Sequence, residues 1–201
     1  MNQFTTLILS PHIDDEILGC FSFLNTQTFV LYFGVEDRPE ISREGRIKEL
    51  ENCAGIAEFS WEVMEFEVNH YQFNDLLSVI ESTINCIQPE WIVIPHPSYN
   101  QDHRTVFEAA FTALRPHDRN FFVNKVLIFE QPHAVLWPYK DFEPNYFIEI
   151  DIDRKIELYK LYQSQVKSHR SPEIIYALAK LRGAQINRPF AEAFFVKRFI
   201  S

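Results

Sequence analysis

Along its first 114 residues this chain alternates between two periodicities, and that alternation limits the folds open to it. Thr6 to Leu9, Phe29 to Phe33, Glu62 to Phe66 and Trp91 to Ile94 are short runs rich in apolar, β-branched or aromatic residues, as buried strands are. Helical stretches lie between them. Ser42 is a suitable N-cap for a helix running to about Ala57. Asn74 or Asp75 is the candidate cap of the next, which ends near Gln88-Pro89. Asp102 opens a third that reaches about Leu114, ahead of Arg115-Pro116. Strands that alternate with helices form βαβ units. The expected fold is α/β, with three α/β/α layers and a mostly parallel central sheet.

The second half is less regular. Lys125 to Glu130 and Tyr146 to Ile150 read as further strands, and Phe194 to Phe199 as a final one. Helices are expected from about Asp153 to Lys167 and from Pro172 to about Arg182, with Gly183 ending the last. No long linker or low-complexity tract interrupts the chain. Its 201 residues, 46% hydrophobic, suffice for one core and fall short of two. A single domain over 1–201 is therefore expected. Glu51-Asn52-Cys53 and Ile84-Asn85-Cys86 are similarly placed, as two helix–strand units rather than a repeat.

Composition excludes several functions. A net charge of -9 argues against nucleic-acid binding, which needs a basic face. An anionic substrate stays open, because a metal and one or two arginines reverse a local field. Only five glycines occur, none in a phosphate-cradling pattern. The 19 phenylalanines are read as core. Cys20, Cys53 and Cys86 are odd in number and lack a C-x-x-C pair, which fits a reducing compartment. The N-terminal Met1-Asn2-Gln3-Phe4-Thr5-Thr6 has no basic region, and Pro11, His12 and Asp14 cut the apolar run behind it. Neither a signal peptide nor a membrane span is expected, and the expected location is cytoplasmic. Oligomeric state, including a homo-oligomer, is left open.

Two polar clusters carry the chemistry. Ser10-Pro11-His12-Ile13-Asp14-Asp15-Glu16 follows the first strand, and Pro95-His96-Pro97-Ser98-Tyr99-Asn100-Gln101-Asp102-His103-Arg104 follows the fourth. In open α/β sheets ligands bind beyond the carboxyl ends of strands. Either cluster alone could be an ordinary helix start, with acids favoured by the dipole. Together they offer His12, Asp15 and His103 as ligands, and three N/O donors plus a water is the usual catalytic zinc arrangement. Iron or cobalt also fits such a set. Asp14 is the natural base for a metal-bound water. Asp102 would orient the neighbouring His103. Asn100 or His96 would aid the developing oxyanion.

Pro11-His12-Ile13-Asp14-Asp15-Glu16-Ile17-Leu18-Gly19 resembles the (A/P)HPDDE-x-x-G signature of the PIG-L/LmbE-like de-N-acetylases. Asn100-Gln101-Asp102-His103-Arg104 resembles that family's second motif, HPDH, and Arg46-Ile47-Lys48-Glu49 its R-x-x-E helix. Tyr162 to Gln165, Arg170 to Pro172, Arg182-Gly183 and Ala191 to Phe194 resemble the C-terminal part of one bacterial branch. The resemblance implies a Rossmann-like fold and one zinc ion on His12, Asp15 and His103. It also implies Asp14 as general base and Arg46 as a substrate contact. The implied substrate is a small N-acetylated amino sugar in a glycan, glycolipid or nucleotide-sugar intermediate. Three departures stand out. Ile13 replaces the usual proline, Cys20-Phe21-Ser22 replaces a Gly-Gly, and Asn100 replaces the first histidine of HPDH. Asparagine cannot supply a proton, so Asp14 would serve as both base and acid, or His96 would take the role.

In the Pro132 to Pro144 segment, read as a loop, Trp137 and Tyr139 are candidates to stack on a sugar. His133 in that segment could reach over the metal site, but is read as a plain surface histidine; His169 and Arg170 are read as solvated, and Glu192 as structural. Rival readings are an esterase or amidase for a non-sugar, and a binding protein without activity.

Overall fold

The computed structural model describes residues 3–201; Met1 and Asn2, part of the N-terminal segment read above, lie outside the described residues. Seven strands form one sheet: β1 (Thr6–Ser10), β2 (Thr28–Tyr32), β3 (Ser60–Val63), β4 (Trp91–Pro95), β5 (Lys125–Phe129), β6 (Tyr146–Glu149) and β7 (Ala191–Phe199). Their order is β3-β2-β1-β4-β5-β7-β6. The first five are parallel, whereas β7 runs antiparallel to both β5 and β6. The helices are α1 (Asp15–Gly19), α2 (Arg43–Ala57), α3 (Phe73–Ile87), α4 (Gln101–Ala113), α5 (Pro132–Leu136), α6 (Ile152–Tyr159) and α7 (Pro172–Gln185).

Alternation along the strands builds two cores. Ile8, Val30, Val93 and Leu127 face one side, against Leu50 and Cys53 of α2, Leu158 of α6 and Ile175 of α7. Leu7, Leu9, Leu31, Ile92 and Ile94 face the other, against Leu76, Ile80 and Ile84 of α3 and Val106 and Ala110 of α4. Strands covered on both faces need continuous apolar runs, as these are. The three-layer expectation holds. The order β3-β2-β1-β4-β5 is that of a doubly wound sheet, and it reverses between β1 and β4.

Several expected boundaries shift. β3 begins at Ser60, and β7 takes in Ala191, Glu192 and Ala193 ahead of Phe194. Neither Asn74 nor Asp75 caps α3; both lie within its first turn, and the extended Gln72 precedes it. The helix expected to Lys167 stops at Tyr159, and Gln163–Gln165 and Ser168–Arg170 are short 3-10 turns. Pro132 opens α5 within the segment read as a loop. α7 continues through Gly183. A Cβ there would lie 2.7 Å from the Arg188 carbonyl oxygen and 2.8 Å from the Phe190 Cα. Glycine at 183 thus permits close backbone approach rather than ending the helix. Cys53 is buried in α2 while Cys86 is exposed in α3, so the two helix–strand units differ in facing.

Candidate active site

Both polar clusters emerge at the carboxyl edge of the sheet, on either side of the reversal between β1 and β4. The turn after β1 is pinned from several sides. The Tyr71 hydroxyl donates to the Pro11 carbonyl at 2.8 Å, and Ser10 Oγ to the His12 carbonyl at 2.8 Å. Arg46 donates to the Ile13 carbonyl. Asp14 has φ 111° and ψ -16°, a left-handed conformation that L side chains rarely adopt. Its backbone N–H donates to Glu16 Oε2 at 3.1 Å, and the buried Glu16 accepts from the Tyr162 hydroxyl at 2.6 Å. Glu16 therefore holds a strained turn together. Burial pushes its carboxyl up to about 7, against the Tyr162 hydrogen bond.

His12, Asp15 and His103 converge. Their ligand atoms all lie within 4.8 Å of one another. Asp15 Oδ2 is 3.5 Å from His12 Nδ1 and 3.3 Å from His103 Nε2. A tetrahedron with metal–ligand bonds of about 2.0–2.1 Å has edges of about 3.3 Å, and the two separations from Asp15 Oδ2 match it. His12 Nε2 lies 2.9 Å from Asp102 Oδ2, which leaves Nδ1 for the metal; a carboxylate behind a ligand imidazole is the usual way to fix its tautomer. Burial works against a charged His12, yet its bonds to Asp102 and Asp15 hold its pKa up at about 10. Burial likewise disfavours the Asp15 carboxylate, but His103 and His12 hold it well below the ordinary range. A cation between these groups satisfies the same field.

Asp14 sits beside this group, buried. Burial pushes its carboxyl up to about 6, against Arg170, whose Nη1 lies 3.2 Å from Asp14 Oδ2. Gln131 Nε2 donates to the other oxygen of Asp15. The ring of His133 stands edge-on to His103, centroids 5.1 Å apart at 85°. Burial, aided by the nearby His103, pulls the His133 pKa down to about 3. All of these open on one polar cavity of about 240 Å³, with Arg38, Tyr99, Asn100, Lys167 and His169 also on its wall.

The structure redistributes several expected roles. Asp102 bonds His12 rather than its neighbour His103, and also accepts from the Asn69 N–H at 2.8 Å. Successive helical residues point about 100° apart, so adjacency in sequence misleads here. Asn100, not Asp102, caps α4, its Oδ1 accepting from the Asp102 N–H at 2.8 Å. His96 leaves the site. It lines a separate cavity with Phe107 and Asp141 and packs edge-on to Phe142, centroids 5.1 Å apart. Arg46 borders the cleft but is buried, with Nη1 2.9 Å from Glu49 and 3.0 Å from Ser164 Oγ. The R-x-x-E helix thus ties the first turn to the chain after α6. Trp137, 74% exposed, is not on the cavity wall and touches it through Tyr99, ring centroids 6.4 Å apart. Tyr139 stacks under Arg104 instead. His133 and Arg170, read as surface residues, belong to the site. Glu192 is structural as expected, taking the N–H groups of Phe21 and Ser22 and pairing with buried Lys155 at 2.6 Å. Gln131 went unnoticed in the sequence; its place one residue past Glu130, at the end of β5, was the available signal.

No family model matches the sequence, and no curated protein matches it. Solved structures do match. N,N'-diacetylchitobiose deacetylase from Pyrococcus horikoshii is 16% identical, with a TM-score of 0.73 over 96% of this chain and 83% of that one. This chain has the fold of that deacetylase. It shares the fold equally with 4-carboxy-2-hydroxymuconate hydratase from Pseudomonas putida, 17% identical, TM-score 0.80, over 98% of each chain. A conserved protein from Thermus thermophilus is 18% identical, TM-score 0.79, over 98% of this chain and 96% of that one. The architecture implied by the motif resemblance is therefore present, while fold alone does not choose between hydrolysis and hydration. Among the described residues no helix is long and apolar enough to cross a membrane.

Proposed function

We propose that residues 1–201 form one PIG-L/LmbE-like domain that removes the acetyl group from an N-acetylated amino sugar, with zinc held by His12, Asp15 and His103. The observation that carries this reading is the meeting of two imidazoles and a carboxylate with a second buried carboxylate, Asp14, at their side and paired with Arg170. Zinc bound there would acidify a water and polarise a carbonyl. Asp14 takes the proton of the attacking water and returns it to the leaving nitrogen, so that acetate and a free amine result. A pKa near 6 suits a base working around neutrality, and Arg170 aims the carboxylate. Asp102 and Gln131 hold His12 and Asp15 from behind. Tyr99, with Trp137 outside it, offers the aromatic edge on which a sugar ring stacks. Three free cysteines fit a reducing, cytoplasmic setting.

The test is a screen of N-acetylated sugars and nucleotide sugars with zinc-loaded protein, reading amine and acetate. Equal release of both is expected, abolished by chelation and restored by zinc. Asp14→Asn should keep the metal and lose about 10²–10⁴-fold in turnover. Turnover that survives metal removal, or water addition to an unsaturated acid without acetate release, would replace this reading with another.

A further inference from the structure

We infer that His133 is a catalytic residue of this site, donating a hydrogen bond to the substrate's carbonyl oxygen as it gains charge. The inference rests on the deacetylase reading above and adds a residue to it. The reaction needs a donor opposite the attacking water, and the residue occupying the motif position for it is Asn100. The oxygen of that side chain caps α4, and His96 faces another cavity. His133 comes from a third strand end. It lies on α5, directly after β5, which pairs with β4.

Two rings fix its plane. His103 lies against it at 5.1 Å and 85°, and Tyr99 at 5.4 Å and 62°. Its side chain is on the cavity wall, beside the metal ligand and on the same cavity as Asp14. Neither ring nitrogen has a hydrogen-bond partner among the described residues. A half-buried imidazole that is held between two rings and unbonded at its nitrogens is oriented for a partner the protein does not supply. His169 lines the same cavity but is exposed, with no comparable packing. The role needs no change in protonation at His133, because Asp14 moves the proton from water to the leaving nitrogen. A donor aimed at an oxyanion in a dry site is worth about 10²–10³-fold in turnover.

The test uses a substrate that the wild-type protein deacetylates in a zinc-dependent manner. His133→Phe keeps the ring against His103 and Tyr99 and removes the N–H. We expect it to fold, to bind zinc as the wild type does, to keep KM within about threefold, and to lose about 100-fold or more in kcat. His133→Gln, which can donate, should recover part of that loss. His133→Leu serves the same comparison should the Phe variant fail to fold. A donor-less variant with kcat near wild type overturns the inference and leaves the deacetylase reading standing. So does loss of zinc or of folding in every variant, because either assigns His133 a structural role. Wild-type protein that releases acetate from no substrate removes the reading and this role together.

Discussion

The parallel part of the sheet and the antiparallel part contribute to the site in different ways. β1 and β4 deliver the side chains proposed to hold the metal, His12 and Asp15 from one strand end and His103 from the other. From β5 onward the chain delivers the groups that hold and aim them: Gln131 on Asp15, His133 against His103, Arg170 on Asp14. It also props the motif from beneath, where Lys155 of α6 donates to the Leu18 carbonyl at 2.8 Å and Glu192 of β7 takes the next N–H groups. Donors that must meet within a few tenths of an ångström sit on short, rigid strand ends. Apart from Asp102 on α4, which holds His12, the groups that hold and aim them come from the chain after β5.

Three measurements sharpen or break this division. The largest effect is expected at the prop. Lys155 and Glu192 are both 4% exposed at the side chain, and Lys155→Met leaves a buried carboxylate without its cation. Urea unfolding should show a loss of about 3–5 kcal/mol. A loss under about 1 kcal/mol would mean that the antiparallel part merely covers the motif. A smaller, pH-dependent effect belongs to Glu16, inside the parallel part. Its folded pKa, about 7, stands above the ordinary 4.5, so folding favours its protonated form. The stability it contributes is complete below 4.5 and is lost as pH rises through about 7. The wild-type melting temperature should fall across that window, and Glu16→Gln should flatten the fall. Equal slopes in the two proteins would show that Glu16 does not strain the turn electrostatically. The smallest effect is expected at Asn100→Ala, where loss of the α4 cap should cost about 1 kcal/mol. It should also weaken zinc binding slightly, because His103 rides on that first turn; unchanged zinc affinity would confine Asn100 to helix stability.

The same division decided what could be read from the sequence. β1, β2, β4 and β5 lie within a residue of their expected bounds, because strands covered on both faces need unbroken apolar runs. His12, Asp15 and His103 were legible as polar residues with no core role at two strand ends. Arg170 was not, and His133 only as an option, since neither lies in a periodic run and the site partners of both, His103, Tyr99 and Asp14, are distant in sequence. Arg46 is a different case. It fitted a substrate-binding pattern, but its guanidinium is occupied by the Ile13 carbonyl, Glu49 and Ser164. Pattern identified the residue there, and only packing revealed its partner.

The positive φ of Asp14 has a practical consequence. With Asp14 as the base proposed above, glycine there would relax that angle and remove a buried carboxylate, so heat tolerance and turnover would pull in opposite directions at one peptide unit. A library ranked by thermal survival alone will tend to enrich inert proteins altered at position 14. Engineering for robustness has to exclude that codon and work away from the carboxyl edge of the sheet.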